Sequence, residues 1–208
     1  METHKSEQAV LYMTLGHPGS GKTFFARQYA SDLGVPLIDM ERLRFELFEE
    51  PNYSLDEDKI VLSLADYMME QFLNAGLSVV VDGMNSTRVR RHALRETARK
   101  YHALPLVVWV QTDIQTAFGR ARNRDRRNPN DKYAKELDDR EFEQESGRVK
   151  LPQHEDYVVI SGKHVFKNQM NVVMKKLIDM EKQASNRQSK QVKLGGRVDM
   201  TRRQPRRR

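Results

Sequence analysis

Short, mainly apolar runs alternate along this chain with longer segments in which apolar residues recur at helical spacing. The runs are Ala9 to Leu15, Val35-Pro36-Leu37-Ile38, Leu77 to Asp82, Leu104 to Val110 and Tyr157-Val158-Val159-Ile160. All have strand length. Helices are predicted over Thr23–Ala30, Glu41–Glu49, Asp56–Asn74, from Ser86 or Thr87 to Tyr101, from near Asp113, and over Val165–Lys182. Pro51-Asn52-Tyr53 breaks the second helix from the third, and Asn74-Ala75-Gly76 ends the third. Ile60, Leu64, Tyr67, Met68 and Phe72 share one face of that third helix and are expected to meet the core. Apolar strands alternating with helices imply a parallel sheet covered on both faces. The expected fold class is therefore α/β, a three-layer sandwich around a five-stranded parallel sheet. The ten methionines and Trp109 fall at helical or strand spacing, which assigns them to the core.

Between the first strand and the first helix lies Gly16-His17-Pro18-Gly19-Ser20-Gly21-Lys22-Thr23, a full match to G-x-x-x-x-G-K-[ST]. The glycines let such a loop wrap with its N–H groups pointing inward at phosphate oxygens, at the positive end of the following helix. Lys22 is expected to reach the β- and γ-phosphates, and the Thr23 hydroxyl to ligate Mg²⁺. The pattern therefore predicts a nucleoside triphosphate site, with ATP and Mg²⁺ as ligands.

Composition narrows the picture. With 208 residues, the chain suits one α/β domain, with no internal repeat and no second domain visible. No cysteine is present, which removes disulfides, thiolate zinc sites and cysteine nucleophiles. The first eight residues lack the apolar core of a signal peptide, and the longest apolar runs are far too short to span a bilayer. A soluble, cytoplasmic protein without a membrane partner is expected. The net charge of +7 is unevenly spread: from Ala184 onward nine basic residues face one acid, Asp199, leaving 27 basic and 28 acidic residues in positions 1–183. Residues 1–183 are thus expected to form the domain, and 184–208 a disordered basic tail. Such a tail is either simply solvated or an arm for nucleic-acid phosphates.

A phosphate loop alone does not select among a kinase, a GTPase and a mechanical ATPase. The Asn-Lys-x-Asp signature of guanine-specific GTPases does not occur here. Other strand ends point to phosphoryl transfer. After the second strand come Asp39, Glu41 and Arg44. In an open parallel sheet these residues face the ligand crevice. A carboxylate there can accept the proton of an attacking hydroxyl, and an arginine one turn on can hold a substrate phosphate bidentately. Asp82 ends a buried strand beside the phosphate loop, where a Mg²⁺-side carboxylate belongs. Asn85 and Arg88, just beyond it, are candidates for substrate contact. Arg120-Ala121-Arg122-Asn123-Arg124-Asp125-Arg126-Arg127 carries five arginines in eight residues. A lid over about 120–150 that brings Arg122 and Arg126 to the transferring group would explain them, as would a solvated basic face or an RNA patch.

Together these elements resemble the P-loop kinases related to phage polynucleotide 5′-hydroxyl kinase and, more distantly, to zeta toxin. In that group the phosphate loop is followed by Asp-x-x-Arg, by a strand ending in Asp-x-x-Asn and by a lid helix with Ala-x-x-x-Arg-Asn-x-x-Arg or similar. Asp82-Gly83-Met84-Asn85 is similar to the second element, and Arg122-Asn123-Arg124-Asp125-Arg126 after Ala117-Phe118 to the third. The resemblance covers about residues 9–182. At the general-base position, three residues before Arg44, this chain has Glu41 instead of aspartate, so both Glu41 and Asp39 stand as candidate bases. The resemblance also implies that Val158 to His164 forms the loop against adenine, with Gly162 and Lys163 as base contacts. The implied activity is transfer of a γ-phosphate from ATP to a hydroxyl, possibly a nucleic-acid 5′-hydroxyl. Alternatives are an RNA- or ribosome-associated ATPase without a phosphoryl acceptor, and a toxin-like kinase of a sugar nucleotide.

Overall fold

In the computed structural model the described residues are 8–128 and 131–195, with side chains described as far as residue 183. Five strands form one sheet: β1 (Val10–Leu15), β2 (Leu37–Asp39), β3 (Val79–Asp82), β4 (Leu104–Gln111) and β5 (Tyr157–Ser161). Every pairing is parallel, in the order β2-β3-β1-β4-β5. Among the described residues there are seven helices: α1 (Lys22–Leu33), α2 (Met40–Leu47), α3 (Leu55–Asn74), α4 (Arg88–Lys100), α5 (Ile114–Arg122), α6 (Asp139–Arg148) and α7 (Phe166–Gly195).

Strand pleating divides the sheet between two cores. Val10 and Tyr12 pack with Phe25 and Tyr29 of α1 and with Val173 and Leu177 of α7. Leu11, Met13 and Leu15 point the other way, toward Val61, Ala65, Met69 and Leu73 of α3 and Leu94 of α4. The sheet is therefore sandwiched, as expected. The chain leaves β1 for β2 on one side and β3 for β4 on the other, so the crevice of a topological switch opens between the C-terminal ends of β1 and β3.

Two expectations change. The core stripe of α3 is Val61, Ala65, Met69 and Leu73, one position on from the face expected; Ile60 and Tyr67 are exposed, while Met68 and Phe72 flank the core. Both stripes are apolar, and the sheet takes the one with smaller residues in its middle. Second, α7 continues past Lys182 to Gly195, so the helix includes the start of the expected tail; positions 196–208 lie outside the described residues. The methionines behave as expected among the described residues: Met13, Met40, Met69 and Met180 are buried, and Met68, Met84, Met170, Met174 and Trp109 pack against the core, while Met1 and Met200 lie outside the described residues.

The arginine-rich stretch resolves into the end of α5, an irregular passage and α6. A capping box between Asp138 and Glu141 starts α6. Ala117, Ala121 and Phe142 give α5 and α6 a small core of their own. At its far end this layer is tied to the sheet by Arg91, whose wholly buried guanidinium donates to the Asn85, Ser86 and Lys150 carbonyls and to Glu155. Among the described residues, no helix is long and apolar enough to cross a membrane.

Candidate active site

The loop after β1 closes around its own backbone. Gly16, Gly19 and Gly21 have φ of 148°, 73° and 100°, in the left-handed half of the map. Gly19 is also packed to contact: a Cβ there would stand 2.0 Å from the Ala117 carbonyl oxygen. Gly21 starts α1 with no side-chain cap and no acidic residue in the first turn, leaving the helix N–H groups for an anion. The loop residues His17 and Ser20 each have a buried polar atom, Nδ1 and Oγ, without a hydrogen-bond partner among the described residues. Lys22 Nζ folds back onto the His17 carbonyl at 2.8 Å. Burial lowers its pKa to about 8, a cost that a bound polyanion would offset.

Thr23 Oγ1 donates to Asp82 Oδ2 at 2.6 Å, and Thr14 Oγ1 donates to the other oxygen at 2.5 Å. Burial and, after it, the Asp39 charge push the Asp82 carboxyl up. A hydroxyl backed by a buried carboxylate is a hard-oxygen pair of the kind that suits Mg²⁺, so these residues fit that ion.

Across the crevice, Asp39 and Glu41 are held differently. Asp39 caps α2 by accepting from Arg42 N and forms an ion pair with Arg27 at 2.9 Å. Glu41 lies in the first turn of α2, and its buried Oε2 has no hydrogen-bond partner among the described residues. Burial raises its pKa to about 7, with Arg44 pulling down and Asp39 pushing up. Arg44 is buried, with Nη1 on Glu57 at 3.0 Å and Nη2 on Asp58, while its guanidinium lies 4.8 Å from the Tyr53 ring centre.

Asn85 is buried; its Nδ2 donates to the Val81 carbonyl, and its Oδ1 is unpartnered among the described residues. Arg88 is exposed and donates to the Leu151 carbonyl. Arg122 points out to Asp139, and Arg126 lies over the Phe45 ring. Between them Arg124 turns inward, where its charge acts on both Lys22 and Glu41. Gly162 backs onto the phosphate loop, where a Cβ would stand 2.0 Å from the Ser20 carbonyl oxygen. Lys163 pairs with Asp113 and lines a cleft of about 540 Å³ with His17, Trp109 and Thr112. The structure thus gathers Lys22, Thr23, Asp82, Asp39 and Glu41 around one crevice, while Arg88 and Arg122 are engaged at its outside and Arg126, over Phe45, is near enough to Tyr53 for its charge to act there. Arg124 and Tyr53 belong to the site and were not singled out from the sequence. For Arg124 the available signal was the Asn123 break, and for Tyr53 there was none beyond a turn.

A family model for the AAA domain matches residues 11–152, which includes the phosphate loop, Asp82 and the whole arginine-rich stretch. This chain belongs to the AAA domain family. No curated protein sequence matches it. Among solved structures, the AAA domain and the rest of the chain are similar to the APS kinase CysC of Mycobacterium tuberculosis in complex with AMPPNP and APS. Identity is 19%, TM-score 0.58, and the match covers 83% of this chain and 99% of that one. A gluconokinase from Sinorhizobium meliloti 1021 matches at 15% identity and TM-score 0.59, over 86% of this chain and 97% of that one. A sugar kinase from Janibacter sp. HTCC2649 matches at 15% and 0.60, over 81% and 94%. At these identities the likeness establishes a common fold for the AAA domain.

Proposed function

We propose that this protein is a P-loop phosphotransferase that moves the γ-phosphoryl group of ATP to an alcohol hydroxyl. The observation that carries the reading is Glu41: a half-buried residue whose enclosed Oε2 is unpartnered among the described residues, with a pKa near 7, across the crevice from an uncapped helix N-terminus at the phosphate loop. A base with that pKa is matched to proton transfer at neutral pH. Asp39, the other candidate, is already engaged as a helix cap and ion-pair partner, so the base role falls to Glu41.

In this reading the loop N–H groups and Lys22 hold the β- and γ-phosphates. The acceptor O–H gives its proton to Glu41, the acceptor oxygen bonds to the γ-phosphorus, and the bond from that phosphorus to the β–γ bridging oxygen breaks to release ADP. Arg124 supplies positive charge to the equatorial oxygens, in place of Arg122 or Arg126, which have other partners. Thr23 and Asp82 would hold Mg²⁺, which when bound neutralises phosphate charge. Asn85, whose buried Oδ1 is unpartnered among the described residues, contacts the acceptor. The common fold with proteins named as kinases supports the reading.

The test is incubation with γ-labelled ATP and a panel of 5′-hydroxyl oligonucleotides, nucleosides and sugars. Label moving to an acceptor is the expected result, and Lys22→Ala should abolish it. Phosphate release without transfer, stimulated by RNA, would replace the kinase with a nucleic-acid-dependent ATPase.

A further inference from the structure

Beside the phosphate loop, three buried polar atoms lack a hydrogen-bond partner among the described residues and belong to one cluster: Glu41 Oε2, Arg44 Nε and Tyr53 Oη. Tyr53 and Glu41 face each other without closing a well-formed hydrogen bond, and Arg44 stacks on the Tyr53 ring at 4.8 Å. Building on the kinase reading above, we propose that the acceptor is an uncharged polyol. Its reacting hydroxyl meets Glu41, and a neighbouring hydroxyl is held by Tyr53 Oη and Arg44 Nε.

The placement of Tyr53 is built rather than incidental. Its φ is 57°, a left-handed conformation that is unfavourable for a residue with a side chain and persists only where the surroundings enforce it. Here they do. The Asn52 and Tyr53 N–H groups both donate to Glu57, at 2.9 and 2.8 Å, and Glu57 is itself fixed by Arg44. The ring is gripped between Arg44 at 4.8 Å and Lys135 at 4.9 Å. The result presents a phenol, able to donate or accept, beside an Arg N–H donor and a carboxylate acceptor. Two adjacent hydroxyls satisfy that set.

The same cluster disfavours an anion. Both terminal nitrogens of Arg44 are committed to Glu57 and Asp58, so the fork that would grip a phosphate is used up. Glu41 adds a third carboxylate around the one guanidinium. Of the other cations near Tyr53, Lys135 is paired with Glu141 at 2.6 Å and Arg126 lies on Phe45. Arg124 lies where its charge acts on Lys22 as well as on Glu41 and Tyr53, and the reading above assigns it to the transferring phosphoryl group and not to the acceptor.

The experiment measures binding to the full chain in the presence of a non-hydrolysable ATP analogue. Adenosine, uridine, ribose and glucose are compared with their phosphate monoesters, their deoxy analogues and a 5′-hydroxyl oligonucleotide. At least one neutral polyol should bind, with its monoester roughly tenfold weaker or more. Tyr53→Phe keeps the ring and its stacking. It should weaken that polyol about 3- to 10-fold, the scale of one hydrogen bond, leave the affinity for the ATP analogue unchanged, and add nothing to the loss from the deoxy analogue. Tighter binding of a monoester or the oligonucleotide, no binding by any neutral polyol, or additive losses would overturn the proposal. The outcomes separate from those of the kinase reading. Polyol binding without label transfer removes the kinase and keeps the subsite, and transfer to a charged acceptor does the reverse.

Discussion

On the β1 side of the crevice, the groups that would meet a ligand are mostly backbone: N–H groups of a loop whose shape is set by left-handed glycines, with Lys22 as the added charge. On the α2 side they are side chains, Glu41, Arg44 and Tyr53, placed by a network of ion pairs that runs through Glu57 and Asp58. The first kind of site depends on steric fit that a single methyl group can ruin. The second depends on charges whose balance can be retuned one residue at a time. A donor half built of backbone recognises what all nucleoside triphosphates share, whereas an acceptor half built of side chains can be specific.

The sharpest way to separate the halves is Glu41→Gln. Losing a general base should lower kcat about 10²- to 10⁴-fold while nucleotide affinity, measured with a fluorescent ATP analogue, stays unchanged. Equal loss of nucleotide binding would join the two halves. Next in size, Arg91→Ala leaves the buried Glu155 side chain with Arg95 as its one cation among the described residues and takes a donor from the Asn85 and Lys150 carbonyls, while Ser86 keeps the Lys150 N–H. A cost of about 3–5 kcal/mol in urea denaturation is expected for breaking such a buried pair. Gly19→Ala probes the backbone half alone: the clash with the Ala117 carbonyl should cost about tenfold or more in nucleotide affinity and leave acceptor affinity intact.

The smallest effect concerns pH. Glu41 has its folded pKa raised to about 7 from an unfolded value of 4.5. Below the lower value both states are protonated and nothing is gained or lost. Between the two values the folded chain retains a proton that the unfolded chain releases, so stability falls as pH rises. Above 7 the full penalty is present, on the order of 1 kcal/mol after allowance for solvent access. Glu41→Gln should therefore be more stable than the parent at pH 8 and equal to it at pH 4. The transfer rate should rise with pH and level off above about 7.

How far the sequence disclosed the molecule runs along the same division. Strands buried on both faces announce themselves as unbroken apolar runs, so β1, β3 and β4 were legible to within a residue or two. The loop glycines were legible because only glycine tolerates their φ values. In α3 the periodicity was clear but the face was not, because two neighbouring stripes are apolar and packing against the sheet chooses between them. The lid arginines were indistinguishable on paper. Helix α5 ends at Arg122 and Asn123 is its C-cap, so helical spacing no longer governs the residues beyond it, and Arg124 alone turns inward. Tyr53 reads as a chain breaker, since its role comes from Glu57, Arg44 and Lys135, residues on separate elements that no local pattern connects.

The flap formed by α5 and α6 has unequal moorings. At one end α5 is held by packing, its Ala117 peptide lying directly against Gly19 of the phosphate loop. At the other, the Lys150 peptide is pinned by Arg91, and the same guanidinium also grips the peptide of Asn85 in the crevice wall. One guanidinium thus joins the peptide that closes the α5–α6 layer to the crevice wall, so the cover and the floor of the crevice share a single rivet.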